Sequence, residues 1–203
     1  MRGMKLVRLL LLPLMLAAMV QPAFPEALNL NQITRYLNSI DTAQGRFTQI
    51  NNDGSISTGT IYIRRPGRIR FEYDPPNDAL VMAGGGQVAI FDPKSNQPPE
   101  QYPLSRTPLN LILKRDVNLQ RENMVTAFEY DGTATMIVAQ DPENPEYGNI
   151  RLKFTGPPVE LRQWIITSGD GTRTTVTLND LQTDASLRAG LFNIPQEIRR
   201  RGR

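Results

Sequence analysis

The 203-residue chain contains no histidine and no cysteine. Those two absences remove Ser-His-Asp and Cys-His nucleophilic sites, histidine general bases, and zinc sites built on thiolate or imidazole. They also remove disulfides, so cysteine pairing says nothing about the compartment. Carboxylate, Lys, Tyr or Ser-Lys chemistry remains. Long apolar runs are scarce as well. Leu9–Val20, LLLLPLMLAAMV, contains a proline and falls short of the roughly 20 residues a spanning helix needs. Aromatics make up only 7% of the chain, which limits how much of any apolar lining can be ring surface. A strong net charge is missing from the body of the chain too. The whole chain is +3, Met1–Ala27 carries three cations and one anion, and the last five residues hold four arginines. What lies between is about −3, with none of the basicity a nucleic-acid-binding domain shows.

What is present begins with a targeting pattern. Arg2, Lys5 and Arg8 precede the Leu9–Val20 run, and polar, proline-containing sequence follows it. This predicts a cleavable signal peptide over residues 1–27, ending between Ala23 and Ala27. An uncleaved anchor is the alternative. With no cysteine there is no lipobox, so the exported protein carries no lipid of its own. Residues 28–198 are then long enough for one domain with one substantial core. Residues 199–203 read as a solvated basic tail.

Leu30, Ile33, Leu37 and Ile40 follow the 3, 4, 3 spacing of an amphipathic helix, which Asn29 or Asn31 can cap. Beyond it the apolar period becomes two. Strand pairs flank Gly84-Gly85-Gly86, Asp131-Gly132 and Gly169-Asp170-Gly171, and short turns between successive strands indicate an antiparallel meander. Pro93–Pro108 breaks the meander and leads into a short apolar helix around Leu109–Leu113. The region 182–190 reads as a second helical or turn break. The triple glycine lacks the Lys-Ser/Thr ending and following helix of a phosphate loop.

The stretch Ile61–Pro76, IYIRRPGRIRFEYDPP, reads as two strands joined at Pro66-Gly67. Alternation puts Ile61, Ile63 and Arg65 on one face of the first strand, and Ile69, Phe71 and Tyr73 on one face of the second. An unpaired charge on an apolar face is costly. Either the strand ends at Arg64 and Arg65 is a solvated turn residue, or Arg65 points into an apolar concavity where something pairs with it. Glu72 and Asp74 point the same way on their strand. As a carboxylate pair they are the one feature suggesting a glycosidase, although exposed strand carboxylates are far more often solvated.

Several short motifs occur in order along the chain: Gly45-x-Phe47-Thr48-Gln49, Gly59, Arg65-Pro66 with an apolar-aromatic strand, Pro75-Pro76, Gly86, Phe91-Asp92-Pro93, Thr107-Pro108-Leu109, Asp170-Gly171 and Leu191-Phe192-Asn193-Ile194-Pro195. Their order and spacing span most of the mature chain and resemble the LolA family, periplasmic carriers of outer-membrane lipoproteins. The missing lipobox argues against the related anchored LolB, and one domain rather than two argues against RseB.

The resemblance implies a mainly β, α+β fold: an unclosed antiparallel half-barrel covered by the N-terminal helix and short lid helices. It implies a soluble periplasmic monomer that binds lipoprotein acyl chains, needs no cofactor or metal, and is not an enzyme. Its partners would be an inner-membrane release complex and an outer-membrane receptor, with no nucleic acid. The cavity would be lined by Phe47, Ile61, Ile63, Ile69, Phe71, Tyr73, Val88, Ile90, Ile150, Leu152 and Phe154. Arg65 would latch a lid carrying Leu109, Leu111 and Ile112 by bonding carbonyls of residues 107–113. Ala89 stands where the family pattern has Trp, which implies a different cavity width or acyl number. A non-transport lipid-sensing or regulatory module is the alternative reading.

Overall fold

The computed structural model describes residues 26–95, 97–120 and 124–202, so the signal-peptide reading lies almost wholly outside them. One helix, α1 (Leu30–Ser39), precedes the first strand. Asn29 caps it in a reciprocal box: Gln32 N–H donates to Asn29 Oδ1 at 3.0 Å, and Asn29 N–H donates to Gln32 Oε1 at 2.8 Å. Ile33, Leu37 and the flanking Ile40 are buried, as the spacing predicts.

Eleven strands follow: β1 (Thr42–Ile50), β2 (Ile56–Arg64), β3 (Arg68–Tyr73), β4 (Leu80–Gly84), β5 (Gln87–Phe91), β6 (Glu100–Pro103), β7 (Val125–Tyr130), β8 (Thr135–Gln140), β9 (Gly148–Thr155), β10 (Glu160–Ser168) and β11 (Arg173–Thr183). They form one antiparallel sheet in the order β6-β5-β4-β3-β2-β1-β11-β10-β9-β8-β7. Each strand pairs with its chain neighbour except at the centre, where β1 pairs with β11, and β6 and β7 are left as unpaired edges. The sheet is therefore an unclosed half-barrel. Gly59 explains its place in the motif order. A Cβ there would lie 2.2 Å from the Glu72 carbonyl oxygen and 2.6 Å from the Phe47 ring.

The two edge strands are consecutive in sequence, so the chain between them must cross the open side. That link contains the short helix α2 (Asn110–Leu113) and buries Leu104, Leu109, Leu111, Ile112, Leu113, Val117 and Leu119 against α1 and the concave face. The proline-rich break predicted at 93–108 is thus partly strand, β6, followed by a turn of 3-10 helix at Leu104–Arg106. Four residues give β6 too little period-two signal to stand out from its loop.

The convex face is covered over β3–β5. Here α3 (Ile194–Arg201), capped by Asn193, packs Ile194 and Ile198 on Leu80, Met82, Ala89 and Phe91. Arg199, Arg200 and Arg201 are therefore part of a helix, although they remain exposed. Arg200 and Arg201 donate to Glu197 at 2.6 and 2.8 Å, and the Arg201 guanidinium lies 5.5 Å over the Phe91 ring. Beneath α3, Arg70 is 3% exposed. It is ion-paired to Glu72 at 2.7 Å and to Glu197 at 3.3 Å, and it also donates to the Leu191 carbonyl at 3.0 Å. Burial pushes the Glu197 carboxyl up, but the hydrogen bonds from Arg200 and Arg201 and the Arg70 charge outweigh this and hold it at about 2.

Candidate functional site

Inside the half-barrel, the inward side chains divide along the strand axis. Toward one end, Ile61, Ile63, Ile69, Ile150, Leu152 and Phe154 meet α1 and the lid and are core, with Tyr36 of α1 edge-on to Phe154 at 6.0 Å. Phe47 is core as well. These residues share the predicted face, but helices already fill the space in front of them. Toward the other end a cavity of about 500 Å³ remains open. Phe71, Tyr73, Val81, Val88 and Ile90 line one side, Tyr102 and Arg106–Leu109 lie at the lid, and Trp164, Ile166 and Val176 line the other side. Of the expected lining, then, Phe71, Tyr73, Val88 and Ile90 reach the cavity. Of the lid residues Leu109 does, while Leu111 and Ile112 are buried in the core.

Trp164, Ile166 and Val176 were not expected. β10 carries a register shift between Leu161 and Gln163, so Leu161 and Trp164, three apart, are both buried. A bulge of this kind defeats a strict alternation. Ala89, where the family pattern has an aromatic, packs with the α3 cluster on the convex side. Its size therefore does not set the cavity width, and the large ring of the wall is Trp164.

The rings form a chain of edge-to-face contacts: Tyr73 to Phe47 at 5.2 Å, Phe47 to Phe71 at 5.3 Å, and Phe71 to Trp164 at 6.1 Å. Tyr73 donates to Gln49 Oε1 at 2.7 Å. Burial pushes its hydroxyl up to about 12, against the smaller lowering by Gln49. Polar groups such as Glu146, Ser168 and Thr174 also border the cavity.

Arg65 lies just beyond the end of β2 and is half-buried. Its Nε and Nη2 donate to the Lys114 carbonyl at 3.1 and 2.6 Å, and Nη2 also donates to the Arg115 carbonyl at 3.0 Å. From α1 it takes the Leu37 carbonyl and Asn38 Oδ1, the latter at 3.1 Å. The carbonyls are not those of residues 107–113. They lie just past α2 and in the last turn of α1, where helix ends leave acceptors without intrahelical partners. One planar fork with five donors satisfies both ends. Burial lowers its pKa, with Asp41 and Asp116 opposing. Asn38, which sequence reasoning missed, seals the same junction. It donates to the Val117 carbonyl at 2.8 Å and accepts from Val117 N–H at 3.0 Å. Gly67 N–H adds a bond to the Leu113 carbonyl at 2.8 Å.

The two carboxylates weighed as a catalytic pair are engaged elsewhere: Glu72 by Arg70, and Asp74 by Arg46 and Thr58.

The geometry is that of an apolar cavity under a covering segment tied down at one end. Residues 38–195 match the family model described as outer membrane lipoprotein carrier protein LolA. The chain belongs to the LolA family. An outer-membrane lipoprotein carrier protein of Azotobacter vinelandii is 29% identical over 199 residues, covering 94% of each chain. One of Pseudomonas paraeruginosa is 28% identical, covering 79% of this chain and 80% of its own. A solved outer membrane lipoprotein-sorting protein domain from Vibrio parahaemolyticus shares the fold at a TM-score of 0.51 and 10% identity, over 83% of this chain and 96% of that one. Among the described residues no helix is long and apolar enough to cross a membrane.

Proposed function

We propose that this protein is a periplasmic carrier that holds acyl chains of lipoproteins in the half-barrel cavity and moves them from the inner to the outer membrane. It would receive cargo from an inner-membrane release complex and give it up to an outer-membrane receptor. The carrying observation is the apolar cavity under a lid held by Arg65. At roughly 30 Å³ per methylene, taken as the share of a water, 500 Å³ holds about sixteen methylenes, or one long acyl chain. A cargo with more chains requires the lid to lift.

The energetics suit a carrier. Taking about sixteen methylenes out of water is worth roughly 13 kcal/mol. The five hydrogen bonds of Arg65 are worth about 1 kcal/mol each, net. Loading can therefore offset a broken latch. Between two apolar cavities the transfer contribution nearly cancels, and the latch bonds that re-form on closing then favour release.

A photo-crosslinking side chain at Ile90 should capture lipoprotein in the periplasm of an exporting host, whereas one at Lys153 on the outer face should not. Capture at both positions alike, or at neither, would count against the cavity. N-terminal sequencing of the periplasmic protein should begin between residues 24 and 28. An intact Met1 in the membrane fraction would mean an anchored protein.

A further inference from the structure

Among the described residues, two buried side-chain polar atoms have no hydrogen-bond partner: Thr34 Oγ1 and Trp164 Nε1. Only Trp164 lines the cavity. An indole N–H is a donor with no acceptor function, and a buried donor left unpaired costs stability. The neighbouring polar group of the wall is not in this position, since the Tyr73 hydroxyl is spent on Gln49. Trp164 is 1% exposed, and its ring meets the edge-to-face partner Phe71 across the half-barrel. A methylene chain offers this donor nothing. The polar atom of an acyl group that can answer it is the carbonyl oxygen at its head.

We propose that Trp164 Nε1–H is the cavity's acyl-carbonyl donor. A ligand that parts the Phe71–Trp164 contact brings its ester or amide oxygen onto the otherwise buried indole N–H, which fixes how deep the chain sits. The inference rests on the reading of the cavity as an acyl site and adds a requirement to it: the cavity distinguishes an acyl chain from an alkyl chain of equal length. Trp164 is thus a specificity-determining residue and not merely part of an apolar wall.

The chain contains one tryptophan, so indole-¹⁵N labelling of the lipid-free mature protein gives a single reporter. Three probes are titrated: 1-palmitoylglycerol, N-palmitoylglycine, and 1-O-hexadecylglycerol, which keeps the chain but has no carbonyl. The two acyl probes separate an ester source from an amide source. At least one of them should move the indole N–H downfield and bind about fivefold more tightly than the ether, the effect of one net hydrogen bond. Trp164→Phe should erase that difference, so that the variant binds the ester and the amide no more tightly than it binds the ether. If the variant does not fold, the ester–ether comparison on the parent protein still decides. Equal shifts and equal affinities for all three probes would overturn the carbonyl donor and leave the acyl cavity standing. Binding of none would overturn both.

Discussion

Two arginines five residues apart, Arg65 and Arg70, tie different covering elements to the two faces of one sheet by opposite means. On the concave side Arg65 is half-buried and its hydrogen bonds go to neutral oxygens, three backbone carbonyls and one side-chain amide. On the convex side Arg70 is buried and bonds the carboxylates of Glu72 and Glu197. Carbonyls at helix ends can turn to water when the guanidinium leaves, so the first tie can open and close. A buried carboxylate stripped of its cation keeps a charge it cannot hydrate, so the second tie is meant to stay shut. On the function proposed above, the same residue type would serve as a latch on one face and a rivet on the other.

The largest effect expected from breaking this contrast is on the rivet. Glu197→Leu removes the partner of three arginines and leaves Arg70 with Glu72, the Leu191 carbonyl and the Met82 sulfur. It should cost about 3 kcal/mol, the lower end for a broken buried pair, read as a lower urea midpoint at unchanged slope. Amides of α3 should lose hydrogen-exchange protection before those of the sheet. A loss equal to that of an ordinary surface substitution would mean that α3 is held by Ile194 and Ile198 alone.

Next in size is the latch, and its main effect is not on stability. Arg65→Leu forfeits hydrogen bonds but also relieves a partly desolvated charge, so the fold should lose no more than about 1–2 kcal/mol. Loading should proceed, and transfer to a lipid-free acceptor should fail, because closing no longer competes with the cargo. Asn38→Ala should weaken transfer in the same direction but less, since Arg65 still spans the junction. Arg64→Leu is the control, since the Arg64 guanidinium donates to the Leu187 carbonyl at 3.3 Å and not to the lid. Parental transfer by Arg65→Leu, or equal behaviour of Arg64→Leu, would end the latch reading.

The contrast also marks where sequence reasoning stops. Alternation and turn residues locate the antiparallel meander, and Asn29 and the apolar spacing locate α1. The second covered face leaves a signal too. Leu80–Ala83 and Val88–Phe91 are continuous apolar runs, and a strand apolar on both sides is covered on both sides. Asn193 and Pro195 before Glu197 and Ile198 mark a helix able to cover it. Taking those runs as an ordinary hairpin is what sends Arg199–Arg201 into a tail. Core and cavity could not be separated, because Ile69 and Tyr73 share one face and differ only in what stands opposite them. That is decided by α1 and the lid, far away in sequence. The Leu161/Gln163 bulge hid Trp164 for a different reason: one extra residue inverts the phase of everything after it.

Acid separates the two ties without mutation. The carboxyl of Glu197 titrates at about 2 in the folded protein, below its ordinary value of 4.5. A depressed folded pKa contributes stability that is present above the unfolded value and lost as pH falls through the folded one. Docking of α3 should therefore be constant above about pH 5, weaken below 4.5, and be lost by about pH 2. The hydrogen-bond acceptors of Arg65 do not titrate, so lid protection should outlast that of α3 on acidification. Simultaneous loss of protection would show that the two faces are coupled through the sheet.

The smallest effect is expected at a third arginine, and it tests whether burial is what separates the other two. Arg46 bonds Asp74 and Thr60 on the outer face, with side chains of the ion pair 51% and 36% exposed. The pairing raises the Arg46 pKa and lowers that of Asp74, in both cases chiefly through their mutual hydrogen bond. By contact geometry alone this is the equal of the Arg70–Glu72 pair. Solvent, however, competes for both partners, salt screens them, and either one left alone is hydrated at once. Arg46→Ala should therefore move the melting temperature by less than about 2 °C, and 1 M salt should erase whatever difference remains. A loss comparable to that of Glu197→Leu would mean that the number of hydrogen bonds, and not the removal of water, sets the worth of an arginine in this sheet, and the distinction between latch and rivet would have to be abandoned.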